Sequence, residues 1–188
     1  AGTTRDTVNA RFSKFGFDFV LLDTAGLRKR TKVNEDLEFY SNMRTIRTIE
    51  HADVCLLVLD ATQGLEAQDL AIFSVIVKNH RGVLLLVNKW DLVEKDTMTM
   101  EIYKKNIQER LQPFKDVPIL FTSALTKQRV LKAIEEAMTV VERRSQRIPT
   151  HELNDTLLPI LKQQAPPIYK GKEIKLKYIT QLPTRYPQ

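Results

Sequence analysis

Two unbroken apolar runs limit the fold more than any other feature of this chain: Val54 to Leu59, which ends at Asp60, and Val83 to Val87, which ends at Asn88. A strand with one face in water alternates apolar and polar residues, whereas runs like these indicate strands buried on both faces, as in a parallel sheet. Parallel neighbours need a long crossover. The intervening segment offers one, because Leu70, Phe73 and Val77 recur at helical spacing between Glu66 and Asn79, and Gly82 reads as its terminator. A further helix is expected from Met98 to Leu111, a short strand from Pro118 to Phe121, and a helix from Gln128 to Arg143 with Val130, Ile134, Ala137 and Val141 on one face. This alternation predicts an α/β layered sheet with right-handed crossovers.

Upstream, Val8 to Phe12 and Phe17 to Leu22 read as an antiparallel hairpin around a turn-like Ser13–Gly16. A charged loop follows Asp23, with a basic cluster from Arg28 to Lys32. Tyr40, Met43, Ile46 and Ile49 then predict a helix over Phe39 to His51. After Ile148-Pro149 the rhythm changes. A helix carrying Leu153, Leu157, Ile160 and Leu161, with Asn154 and Asp155 near its start, runs into Ala165-Pro166-Pro167, and Ile174 to Ile179 alternates as a strand.

Composition closes off several classes. With 43% apolar and 28% charged residues the chain can offset its conformational entropy, so disorder is excluded as the main state. The single cysteine, Cys55, excludes a disulfide framework and a Cys-based zinc site, and suits a reducing, cytoplasmic setting. No apolar run approaches the ~20 residues of a membrane span, and no signal peptide is read, so no membrane partner is expected. His51, His80 and His151 share no metal-ligand spacing and read as surface or cap residues.

Charge is uneven. Residues 143–188 hold nine basic and three acidic side chains, a net +6 that equals the formal charge of the whole chain. A balanced body with a basic tail suits a polyanion, with RNA the leading candidate and a solvated basic face the alternative.

The chemistry concentrates where strands end. Asn88-Lys89-Trp90-Asp91 follows an apolar run directly. A guanine ring presents N1–H and an N2 amine side by side. One carboxylate, Asp91, can accept both, while the Asn88 amide can reach the N7 and O6 side and the Lys89 stem can lie on the base plane. Adenine lacks that donor pair and would leave polar groups unpaired. Asp23-Thr24-Ala25-Gly26 follows another strand. Asp23 can hold Mg²⁺ through a water and the Gly26 N–H can meet a terminal phosphate, although a capped strand-to-loop turn reads equally well there. Thr3-Thr4 lies upstream with a hydroxyl suited to Mg²⁺, and Thr122-Ser123-Ala124 follows the Pro118–Phe121 strand. Trp90 and Cys55 read as packing residues.

In this order the motifs are similar to those of the Der (EngA) family of bacterial ribosome-assembly GTPases, within a wider Era/TrmE-like group. The likeness rests on Ala1 to Asp6, Leu22 to Arg28, Ile49 to Ala61, Asn88 to Asp91 and Thr122 to Thr126, then on Ile148 to Thr150 and Lys172 to Gln181. The resemblance implies a three-layer Ras-like sheet over residues 1–147, and a partial α+β KH-like domain over 148–188. It implies that Thr4 and Asp23 hold Mg²⁺, that Gly26 senses the γ-phosphate, and that Asn88, Lys89 and Asp91 read guanine with Ser123 and Ala124 in support. Leu27 stands where other GTPases carry a water-positioning Gln, so the catalytic group would come from elsewhere, with K⁺ a candidate. GTP and GDP would be the ligands. Ribosomal RNA of the large subunit, a further GTPase domain and the KH-like domain would be the partners. No G-x-x-x-x-G-K-[ST] phosphate loop occurs in the 188 residues. The chain therefore reads as an internal fragment lacking that loop and the strand feeding it, with a gap beside Val54 to Leu59 and little nucleotide turnover of its own. A nucleotide-independent RNA- or protein-binding module acting through the basic tail is the alternative.

Overall fold

A computed structural model describes residues 8–23, 45–94, 98–164 and 166–184. Strands β1 (Val8–Lys14) and β2 (Phe17–Asp23) form an antiparallel hairpin. The sequence suggests a four-residue connection, but the ladder continues to Lys14↔Phe17 and the turn is Phe15-Gly16 alone. Both turn residues are left-handed (φ 56° and 80°), which suits the twist of a two-residue hairpin. Phe12 and Phe19 stack across the strands at 5.1 Å, while Arg11 and Asp18 pair on the exposed face at 2.7 Å.

Residues 45–51 are helical (α1), and residues 39–44 of the expected helix lie outside the described residues. Strand β3 (Val54–Asp60), helix α2 (Ala67–Lys78), strand β4 (Gly82–Asn88), helix α3 (Thr99–Arg110), strand β5 (Ile119–Phe121) and helix α4 (Val130–Ser145) then follow. The three strands are parallel in the order β3-β4-β5, as the apolar runs and crossover predict. β4 is central, and Leu84, Leu85 and Val87 are fully buried. β3 departs from the expectation of two covered faces. Leu57 and Leu59 are buried, but Leu56 and Val58, on the opposite face of the strand, are 38% and 54% exposed, so that face of β3 is only partly covered.

Gly82 does not end α2. Asn79 caps the helix, and His80 takes the left-handed position (φ 53°). The His80 N–H donates to Val77 O at 2.9 Å and the Arg81 N–H to Ile76 O at 3.1 Å, closing the last turn, and Gly82 opens β4 opposite Val54. Phe73, Ile76, Ile107, Leu111, Trp90 and Phe121 pack around the sheet into one core.

Contacts divide the chain into units of residues 1–140 and 141–188. In the second, helix α5 (Thr150–Gln163) has no buried residue, carries Pro159 in its interior, and begins four residues before Asn154. Asn154 therefore does not cap α5. Its Nδ2 donates to Ile179 O at 2.8 Å and its Oδ1 accepts the Ile179 N–H at 2.9 Å, so the side chain imitates a strand neighbour. Gln181 receives the Ile148 N–H at 2.9 Å. The alternating Ile174–Ile179 segment is assigned no strand and joins no ladder among the described residues, since a sheet period needs a partner strand to make a sheet.

Candidate functional site

The three parallel strands bring their carboxyl ends together, which is where open α/β sheets bind ligands. The register pairs Asp60 with Asn88 and Val87 with Phe121. The loop leaving β4 is tied to both neighbours. Ala61 N–H donates to Asn88 O at 2.9 Å, Thr122 N–H to Val87 O at 2.8 Å, and Trp90 N–H to Thr122 O at 3.0 Å. The Trp90 ring is 2% exposed and lies 4.4 Å from Phe121 and 5.5 Å from Tyr103. Tyr103 donates its hydroxyl to Ala61 O at 2.6 Å, and burial pushes its phenol above the usual range, so it stays a donor. Trp90 is thus the hydrophobic anchor of the loop.

On this frame Asn88 Oδ1 accepts the Ala124 N–H at 3.0 Å, which fixes the amide and leaves its NH₂ for an acceptor. Ser123 is fully buried; its Oγ accepts the Thr126 N–H at 3.1 Å and its own N–H donates to Gln128 O at 3.2 Å. Lys89 is left-handed (φ 61°, ψ 31°), and its Nζ meets Asp60 Oδ2 at 2.5 Å. Asp91 Oδ1 is buried and has no hydrogen-bond partner among the described residues. A buried acceptor in that state costs about 1–3 kcal/mol, more when charged, so a donor-bearing ligand would relieve it.

The structure thus brings Asn88, Lys89, Asp91, Ser123 and Ala124 together at the carboxyl end of β4. Thr4 and Gly26 lie outside the described residues, as does the Arg28–Lys32 cluster. Asp23 closes β2 opposite Val8, at the end of a separate sheet, and its side chain is not described. The residue missed in the sequence is Asp60. Lys89 first, and the Thr62 hydroxyl and N–H next, hold its carboxyl down to about 2. Its signal was available: two runs that end in Asp60 and Asn88 must set those residues side by side if the strands are parallel. Among the described residues no group of His, Cys, Asp and Glu could hold a metal, and no helix is long and apolar enough to cross a membrane.

Residues 1–166 match the model of the elongation factor Tu GTP-binding domain, so the chain belongs to that family of GTP-binding domains. Residues 147–188 match the KH-domain-like C-terminal domain of EngA bacterial GTPases. Along its whole length the chain is also similar to relatives named GTPase Der. It is 58% identical over all 188 residues to GTPase Der of Flavobacterium johnsoniae, and 58% identical over 184 residues to GTPase Der of Bacteroides thetaiotaomicron. It spans 43% and 42% of their lengths. Among solved structures, Era in complex with MgGDPNP and nucleotides of 16S ribosomal RNA aligns with a TM-score of 0.63 at 23% identity, over 79% of this chain and 48% of Era. A probable GTP-binding protein EngB aligns at 0.61 and 15%, over 77% and 86%. These likenesses show a Ras-like GTPase fold.

Proposed function

We propose that the loop from Asn88 to Asp91 reads the guanine of GTP and GDP, in a GTP-hydrolysing switch protein of large ribosomal subunit assembly. The supporting observation is the buried Asp91 Oδ1, without a hydrogen-bond partner among the described residues, in the loop that leaves the central strand. A carboxylate there accepts from guanine N1–H and the N2 amine together. Asn88, oriented by Ala124, offers its NH₂ to N7, and buried Ser123 holds the supporting loop.

Thr4 and Asp23 would hold Mg²⁺ and Gly26 would meet the γ-phosphate, with K⁺ a further candidate near the phosphates. When bound, these cations would offset the charge of the triphosphate. Residues 1–147 form the nucleotide domain in this reading and 148–188 the KH-like domain. The latter's exposed Lys170, Lys172, Lys175 and Lys177 suit contact with ribosomal RNA in the cytoplasm. Another GTPase domain of the same protein would be the intramolecular partner.

The test exchanges the base together with the side chain. Asn in place of Asp91 presents one donor and one acceptor, which matches the N1–H and O2 of xanthine. Asp91→Asn should lower the preference for guanosine over xanthosine about 10- to 100-fold, the scale of the ~1–3 kcal/mol cost of one polar group left unpaired, as read by ligand-observed NMR. An unaltered ratio refutes the assignment.

A further inference from the structure

Asp60 is given no role in the sequence reading, yet both of its carboxylate oxygens are engaged. Oδ1 accepts the Thr62 N–H at 2.9 Å and the Thr62 hydroxyl at 2.7 Å. Oδ2 meets the Lys89 ammonium at 2.5 Å. The two oxygens therefore have separate tasks. One closes the turn that leaves β3, where the Gln63 and Gly64 N–H groups also donate to Asp60 O at 3.0 and 2.9 Å. The other does nothing for that turn and reaches instead to the next strand.

Lys89 is the residue that receives it. Its backbone is left-handed, a conformation costly for an L-residue with a Cβ. It persists here because both neighbours are fixed: Asn88 O accepts from Ala61, and the Trp90 N–H donates to Thr122. The side chain is 54% exposed while that of Asp60 is 22% exposed, so the long stem spans from a solvent-facing position to a more sheltered carboxylate.

We infer that Asp60 is a positioning residue of the base site: by tethering the Lys89 ammonium to the end of β3, it holds the lysine methylenes as a preformed apolar wall beside the purine gripped by Asp91. This rests on the base-site reading above and goes beyond it in naming what orders the lysine. A free lysine samples many rotamers and must be ordered when a ligand arrives, which weakens binding. With the ammonium already tied, that ordering precedes the ligand. The ion pair also leaves the ammonium satisfied away from the stem, so four carbons remain for contact with an aromatic face.

The experiment separates the tether from the turn. Asp60→Asn retains an oxygen for Thr62 but replaces the Lys89-binding oxygen with NH₂, and Lys89→Met retains an apolar stem with no charge to tie. Guanosine, which carries no phosphate, is titrated into the full 188-residue chain and followed by ligand-observed NMR. Asp60→Asn should weaken guanosine binding about two- to tenfold, the scale of ordering one long side chain, and leave the guanosine-to-xanthosine ratio unchanged. Lys89→Met should weaken it similarly, and adding Asp60→Asn to Lys89→Met should weaken it no further. Equal losses in both backgrounds would show that Asp60 acts through the turn, and unchanged affinity in Asp60→Asn would show no tether; either result overturns the inference. If the Asp91→Asn ratio shift holds while either result appears, the inference alone fails. If the wild-type chain ignores guanosine or the ratio shift is absent, the base-site reading falls and takes the inference with it.

Discussion

Asn88 and Asn154 perform the same act in different surroundings. Each uses its side-chain amide to clip a distant backbone, Asn88 on Ala124 and Asn154 on both sides of Ile179. Asn88 works over a packed core, with Val87 and Trp90 almost wholly buried beside it. Asn154 works on α5, which buries no residue, and holds a segment whose Ile174, Leu176 and Tyr178 are exposed. Over a core, a polar clip refines a geometry that apolar burial already fixes. Without one, the clip carries the order itself.

The most forceful way to break this contrast is to remove the packing under Asn88. Trp90→Ala should cost about 3–5 kcal/mol, the usual result of truncating a buried aromatic ring, and should appear as a large fall in the urea midpoint of the first unit. The second unit should respond to a polar deletion instead. Asn154→Ala leaves the Ile179 N–H and C=O unpaired at a local cost of about 1–3 kcal/mol. Amide exchange around 174–181 should accelerate while β4 amides keep their protection. Equal acceleration in β4 would erase the distinction.

The finest expected effect is acidic. Because Lys89 and Thr62 hold the Asp60 carboxyl at about 2 against an ordinary 3.8, its contribution is present above about pH 4 and lost as pH falls through about 2. The pair is partly exposed, so the effect is modest. Wild type and Asp60→Asn should differ in melting temperature at pH 5 and converge by pH 2. A constant difference across that window would mean that Asp60 stabilises the chain by something other than its charge.

The sheet was legible because β3 and β4 carry their burial in composition: five or six consecutive apolar residues admit few alternatives. The loop proposed to read the base stood out because Asn88 to Asp91 follows such a run directly. Other features were decided by context that a linear reading does not hold. Phe15 adopts a left-handed turn position that its residue type disfavours, which lengthened the hairpin. His80 took the cap expected of Gly82. Leu56 and Val58 are as apolar in sequence as Leu57 and Leu59 and differ in what covers them. Ile174 to Ile179 has the period of a strand, but pairing depends on a neighbour that periodicity cannot supply. Asp60 escaped notice because its partner, Lys89, lies 29 residues away and meets it only through the parallel register.

The sole tryptophan of the chain sits between Lys89 and Asp91 and is wedged against Phe121 and Tyr103. Its emission therefore comes from one place, the floor of the loop itself, with no background from a second indole. Any molecule that displaces Lys89 or Asp91 by a fraction of an ångström alters the surroundings of that fluorophore, so the chain contains its own optical gauge of occupancy and needs no attached dye.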